Sequence, residues 1–119
     1  MIRPSKTASE IYLYAEPVDM RRQMGGLSVL VEHVLEQNPM DGSLFVFCNK
    51  QREKIKVLFW EKNGFIIFYK RLEKQRFKWP SKAEGHSLTI NGEELNWLID
   101  GFDLWHNQPH KTLFFDSVS

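Results

Sequence analysis

Lys54-Ile-Lys-Val-Leu-Phe-Trp-Glu-Lys-Asn-Gly-Phe-Ile-Ile-Phe-Tyr-Lys-Arg-Leu72 is the stretch that decides the fold. Two runs rich in β-branched and aromatic residues flank Asn63-Gly64, and such a pair signals a β-hairpin because both central positions of a type I′ turn need positive φ. With Asn63 and Gly64 at the centre, one face pairs Lys56 with Arg71, Leu58 with Tyr69, Trp60 with Ile67 and Lys62 with Phe65. The other pairs Ile55 with Leu72, Val57 with Lys70, Phe59 with Phe68 and Glu61 with Ile66. This second face is mostly apolar and is expected to pack on a helix, whereas the first mixes cations with rings and is expected to be partly wet. Lys56 directly opposite Arg71 costs stability unless an anion lies between them; a one-residue slip would remove that cost.

Working outward, Ile11 and Leu13 alternate with Tyr12 and Tyr14 within Glu10 to Ala15, the period of a strand that Pro17 ends. After Gly25-Gly26, Leu27, Leu30, Val31, Val34 and Leu35 fall on one helical face, stopped by Asn38-Pro39. Glu32 and His33 lie off that face, as solvated helix residues do. Leu44 to Cys48 is too short for a core helix and reads as a strand. Beyond the hairpin, Pro80 stops any continuing ladder, and Leu88 to Ile90 reads as a short strand. Asn91 and Glu94 then form a capping box for a helix presenting Leu95, Leu98 and Ile99, with Gly101 at its C-terminal cap.

The expected fold is α+β: a small antiparallel sheet, a meander with a central β-hairpin, packed against one or two helices. The helix from about Leu27 to Gln37 is expected to cover the Phe59/Phe68 face. One domain spans residues 1–105, and 106–119 form a tail that either docks or stays flexible.

Charge is distributed unevenly. Lys50 to Lys82 holds eleven bases against three acids, a balance of +8, so the other 86 residues sum to −7 within a chain of net charge +1. Phe59, Trp60, Phe65, Phe68, Tyr69, Phe77 and Trp79 are interleaved with these cations. Cations that neutralise phosphates and flat rings that stack on bases are the materials of a nucleic-acid surface.

Composition sets outer limits. A chain of 119 residues, 42% hydrophobic and 13% aromatic, fills one real core. No apolar run approaches the ~20 residues of a membrane helix, and the polar start from Met1 to Ala8 lacks a signal-peptide core, so a cytoplasmic protein without membrane contact is expected. The single cysteine, Cys48, excludes an internal disulfide and reads as a buried small hydrophobe.

Several ordered motifs now carry a resemblance. Asp41-Gly-Ser-Leu-Phe-Val-Phe-Cys-Asn-Lys50, Lys54-Ile-Lys-Val-Leu-Phe-Trp60, Asn63-Gly-Phe65, Tyr69-Lys-Arg-Leu-Glu73 and Arg76-Phe-Lys-Trp-Pro80 resemble the TnpB-type accessory protein of the IS66 family of bacterial insertion sequences. Asp19-Met-Arg21 and Gly26-Leu27 are similar to that family's opening, and the resemblance covers about residues 8 to 80. Two departures are small: the turn reads Glu-Lys-Asn-Gly where Asp-x-x-Gly is usual, and Gln75 stands where glycine is common. The resemblance implies a small protein encoded beside a separate transposase and needed for efficient movement of the element, distinct from the larger RNA-guided nucleases that share the TnpB name. It implies no catalytic mechanism.

The residues themselves give an enzyme little support. Metal-dependent strand transfer wants clustered carboxylates, but Asp19, Asp41, Asp100, Asp103 and Asp116 are scattered among caps and turns. His106 and His110 have a ligand-like spacing that Pro109 spoils. No metal, cofactor or catalytic residue is therefore assigned. Two binding readings stay open: the basic module binds DNA, at the element's ends or an exposed strand, or it is an adapter that docks on the transposase. The first reading selects Lys54, Lys56, Lys70, Arg71, Arg76 and Lys78 as phosphate contacts, with Trp60, Tyr69 and Trp79 as contacts for a base or a partner. In Arg76 to Trp79 the alternation is expected to turn Phe77 and Trp79 toward the core and the two cations outward.

Overall fold

A computed structural model describes residues 10–80 and 85–105. Five strands and two helices follow the order β1 (Ile11–Tyr14), α1 (Met24–His33), β2 (Leu44–Cys48), β3 (Lys54–Glu61), β4 (Gly64–Arg71), β5 (Ser87–Ile90) and α2 (Gly92–Ile99). The strands form one sheet in the order β4-β3-β2-β1-β5. This is the expected α+β architecture, with two differences. The β3–β4 hairpin lies at one edge of the sheet, and β1 pairs with β2 in parallel. Parallel neighbours need a crossover connection, and α1 supplies it. The tail expected at 106–119 falls outside the described residues.

Each helix covers one face. The side chains of Ile11, Leu13, Leu44, Val46, Cys48, Ile55 and Val57 pack with Leu95, Leu98 and Ile99 of α2, and Phe59 and Phe68 join this layer. On the opposite face, Phe45, Phe47 and Leu58 pack with Leu27, Val31 and Leu35 at α1, with Phe65 and Ile67 beside them. All five residues of β2 are buried, which explains why Leu44-Phe-Val-Phe-Cys48 reads as an unbroken apolar run rather than an alternating one. The expectation that α1 covers the Phe59/Phe68 face is thus corrected: α2 takes that face, and α1 packs on Leu58 and Ile67 of the other, where Tyr69 and Arg71 stay exposed and the face is partly wet as expected.

The hairpin register also differs from expectation. Glu61 pairs with Gly64, so Lys62 and Asn63 form the two-residue turn, and φ is positive at Lys62 (56°) alone of the two. Lys56 faces Tyr69, Trp60 faces Phe65, and Lys54 faces Arg71. The slip is two residues, which preserves the face each side chain occupies. It also improves the cross-strand pairs: Trp60 and Phe65 meet edge to face at 5.1 Å, and Lys56 Nζ lies 5.9 Å from the Tyr69 ring centre.

Both ends of α2 are closed as its sequence suggests. Asn91 Oδ1 accepts from the Glu94 N–H at 2.8 Å, and Glu94 Oε1 accepts from the Asn91 N–H at 3.0 Å. At the other end Gly101 adopts φ 91°, its N–H donating to the Leu98 carbonyl while the Phe102 N–H donates to that of Trp97. These two bonds define a Schellman cap, whose left-handed position favours glycine. Helix α1 starts earlier than expected, at Met24, and Glu36 at φ 55° follows its end.

Candidate nucleic-acid interface

The loop between β2 and β3 organises the basic module. Asn49 is buried, and its Oδ1 accepts from the N–H groups of Glu53 and Lys54, both at 3.0 Å. The Arg52 N–H donates to the Asn49 carbonyl at 3.1 Å, and Arg52 takes a left-handed φ of 61°. One buried amide thus closes the loop and leaves Lys50 and Gln51 exposed at its tip.

Neighbouring segments are stitched onto this loop. The carbonyls of Cys48, Arg52 and Glu53 accept from the N–H groups of Val18, Phe77 and Leu72 at 2.9, 2.7 and 2.8 Å. Two open clefts flank the loop as a result. One, of about 540 Å³, is lined by Arg52, Arg76, Lys78, Trp79, Asp103 and Trp105 among others. The second, of about 560 Å³, includes Asp19, Arg21, Lys50, Gln51 and Lys54. The Asp19 carboxylate is committed to Arg21, 2.6 Å from Nη2, and these hydrogen bonds hold its pKa down to about 2. In the second cleft Asp19 is thus neutralised by Arg21, and Lys50 and Lys54 are the other charged residues of its lining.

Four of the six cations selected from the sequence lie at this end of the sheet. Arg76 and Lys78 are exposed and line the first cleft; Phe77 between them is 2% exposed, and Trp79 is half-buried against the core. The expected alternation holds here. Lys54 and Arg71 face each other as cross-strand partners, so the like-charge pair anticipated for Lys56 and Arg71 exists with Lys54 in place of Lys56. Arg71 also reaches Glu73 at 3.6 Å, an exposed pair.

The other two cations are engaged elsewhere. Lys56 Nζ donates to the carbonyls of Met20 at 2.7 Å and Arg22 at 2.9 Å, tying the segment before α1 to the sheet. Lys70 Nζ donates to the Ile99 carbonyl at 2.9 Å and lies 4.0 Å from Asp100, a cation at the C-terminus of α2 where the helix dipole favours it. They occupy opposite faces of the sheet and are not brought together with the loop.

The rings divide in a similar way. Trp60 sits six residues along β3 from Lys54, about 20 Å away at strand rise, and is paired with Phe65. Tyr69 is exposed beside Lys56. Trp79 is at the loop: its Nε1–H donates to the Tyr14 carbonyl at 3.1 Å, and the Arg52 guanidinium lies 5.6 Å from its ring centre.

Lys50, Arg52 and Trp105 were not selected from the sequence, although the first two belong to the basic run. The signal for Lys50 and Arg52 was the Asn49 turn, which places them at one end of the sheet; Trp105 had no local signal, since its indole meets the Lys78 carbonyl from 27 residues away. Lys56→Met is expected to lower stability by about 1 to 2 kcal/mol, since two charged hydrogen bonds to backbone carbonyls are lost. The check is the urea midpoint; unchanged stability with weakened DNA binding would return Lys56 to the interface.

The carboxylates considered for catalysis are dispersed. Asp41 Oδ1 accepts from the Ser43 N–H, Asp103 Oδ1 accepts from the Trp105 N–H, and Asp100 lies near Lys70. Among the described residues, no group of three His, Cys, Asp or Glu side chains is placed to hold a metal ion. Asp116, His106 and His110 fall outside those residues. No helix among them is long and apolar enough to cross a membrane. Burial pushes the Cys48 thiol up to about 11, against the pull of the Arg52 guanidinium, as suits a small side chain in the core.

The family model described as IS66 Orf2 like protein matches residues 9–109. The chain belongs to the IS66 Orf2-like family. The match continues past Pro80, so β5 and α2 belong to the shared unit together with the hairpin. Two Sinorhizobium fredii proteins are similar along most of their length. "Uncharacterized protein y4hO" is 37% identical over 88% of this chain and 90% of its own, and "Uncharacterized protein y4jC" is 36% identical over 87% and 86%. No solved structure matches. The IS66 Orf2-like proteins are accessory proteins of insertion sequences, and the basic loop is read in that setting.

Proposed function

We propose that this protein is a non-catalytic accessory factor of transposition that binds DNA phosphates at the β2–β3 loop end of its sheet, in the bacterial cytoplasm. The observation that carries the reading is the gathering of Arg52, Arg76 and Lys78 on one side of a loop whose other side presents Lys50 and Lys54. No helix lines either cleft, so contact with the edges of base pairs in a major groove is not its basis. Binding is mainly electrostatic and poor in sequence preference.

Gel retardation of DNA carrying the element's ends tests this. With about five phosphates neutralised, affinity is expected to fall roughly 10²- to 10³-fold between 50 and 200 mM salt. Affinity that does not change with salt would defeat the reading.

A second reading has its own support. The −7 balance outside Lys50 to Lys82 is unusual for a general DNA binder and favours an adapter that docks on the element's transposase. A pull-down of purified transposase with and without end DNA separates the two. Capture that ignores DNA and salt favours the adapter.

A further inference from the structure

We infer that the cleft between Trp79, Trp105 and the Arg76–Lys78 segment seats one unpaired nucleotide, giving the protein a preference for single-stranded over duplex DNA. This rests on the DNA-binding reading and names the form of DNA.

Three features of the cleft support it. Its volume of about 540 Å³ is within the range of sites that take a single small molecule, and a duplex is far too wide to enter. Two of its lining residues are half-buried indoles held in place: Trp79 donates to the Tyr14 carbonyl and Trp105 to the Lys78 carbonyl. A fixed aromatic wall is of no use to a duplex, whose bases are stacked on one another, but it offers an unpaired base a surface. Arg76 and Lys78 project from alternate positions of an extended segment, both exposed, at the mouth of the same cleft. They can hold consecutive phosphates while the base between them turns inward against Trp105. Asp103, the acid of the cleft, accepts from the backbone N–H of Trp105 and so holds the main chain there, while the indole itself is held by the Lys78 carbonyl.

The stacked and unstacked cases differ in tryptophan emission. The full chain is titrated, at one salt concentration, with a dT oligonucleotide, with a duplex of equal length and with inorganic polyphosphate. Single-stranded DNA is expected to bind about 10-fold or more tightly than duplex and to quench emission beyond the polyphosphate value. Trp105→Leu should bring the affinity ratio near one and remove the extra quenching; Trp105→Phe, which keeps a ring, should retain much of the ratio. Melting curves identify either variant that fails to fold, and the wild-type ratio stands as a test without them. Equal affinity for both DNA forms, or quenching no greater than with polyphosphate, overturns the inference and leaves the electrostatic reading intact. Absence of binding to either DNA overturns both.

Discussion

Phe77→Ala is expected to lose about 3 to 5 kcal/mol of stability, the usual cost of truncating a buried aromatic. The ring is 2% exposed and packs in the α2 layer with the β3 residues Ile55 and Val57, while its backbone N–H donates to the Arg52 carbonyl. Core and loop are therefore fastened at one residue. In a domain of this size the loss corresponds to a fall in melting temperature of roughly 10 to 20 °C. Differential scanning calorimetry is the check, and a drop under a few degrees would mean that the 72–79 segment does not depend on this anchor. Trp79→Ala is expected to move in the same direction by less, because its ring is only half-buried, although the donation to the Tyr14 carbonyl is lost with it.

Replacing Arg71, Arg76 and Lys78 together with Ala is expected to do the opposite. All three are exposed, and the one ion pair among them, Arg71 with Glu73, lies at the surface, where such pairs contribute about 0 to 1 kcal/mol. Removing the like charge opposite Lys54 offsets part of even that. The protein should stay folded, yet bind DNA roughly 100-fold more weakly, with the salt slope reduced by about 2.7 for three lost phosphate contacts. Transposition of the element should fall with it. A triple variant that is folded and fully active, beside a Trp79→Ala protein that is stable but inactive, would reverse the assignment and make the ring the contact.

The contrast between these two sets was legible because alternation is a local property. Arg76-Phe77-Lys78-Trp79 shows its two sides in four residues, and Asn91 with Glu94 shows a helix start in the same way. Leu44 to Cys48 was legible as a strand for a related reason: a short apolar run without polar alternation fits a strand buried on both faces. What could not be read depends on partners far along the chain. A lysine on a strand has the same local pattern whether its ammonium faces water or, as at Lys56, meets carbonyls 34 and 36 residues earlier. The same holds for Lys70 and Ile99. Two apolar strips on opposite faces of the hairpin, Leu58 with Ile67 and Val57 with Phe68, offered either helix a seat. The parallel pairing of β1 with β2 makes α1 their crossover, and the side on which such a crossover passes is a matter of handedness across distant strands, not of the local pattern.

The single thiol of the chain has a use that follows from its position. Cys48 closes β2, the middle strand, whose last residues pair with β3 and whose final carbonyl receives the Val18 N–H. It is walled in on the α2 side and too weak an acid to ionise at neutral pH, so a soluble alkylating reagent has no route to it in the native state. Reaction must wait for the sheet to come apart at its centre. Cysteine trapping in this protein is accordingly a clock for opening at the Arg52 end of the central strand, blind to fraying at the hairpin tip.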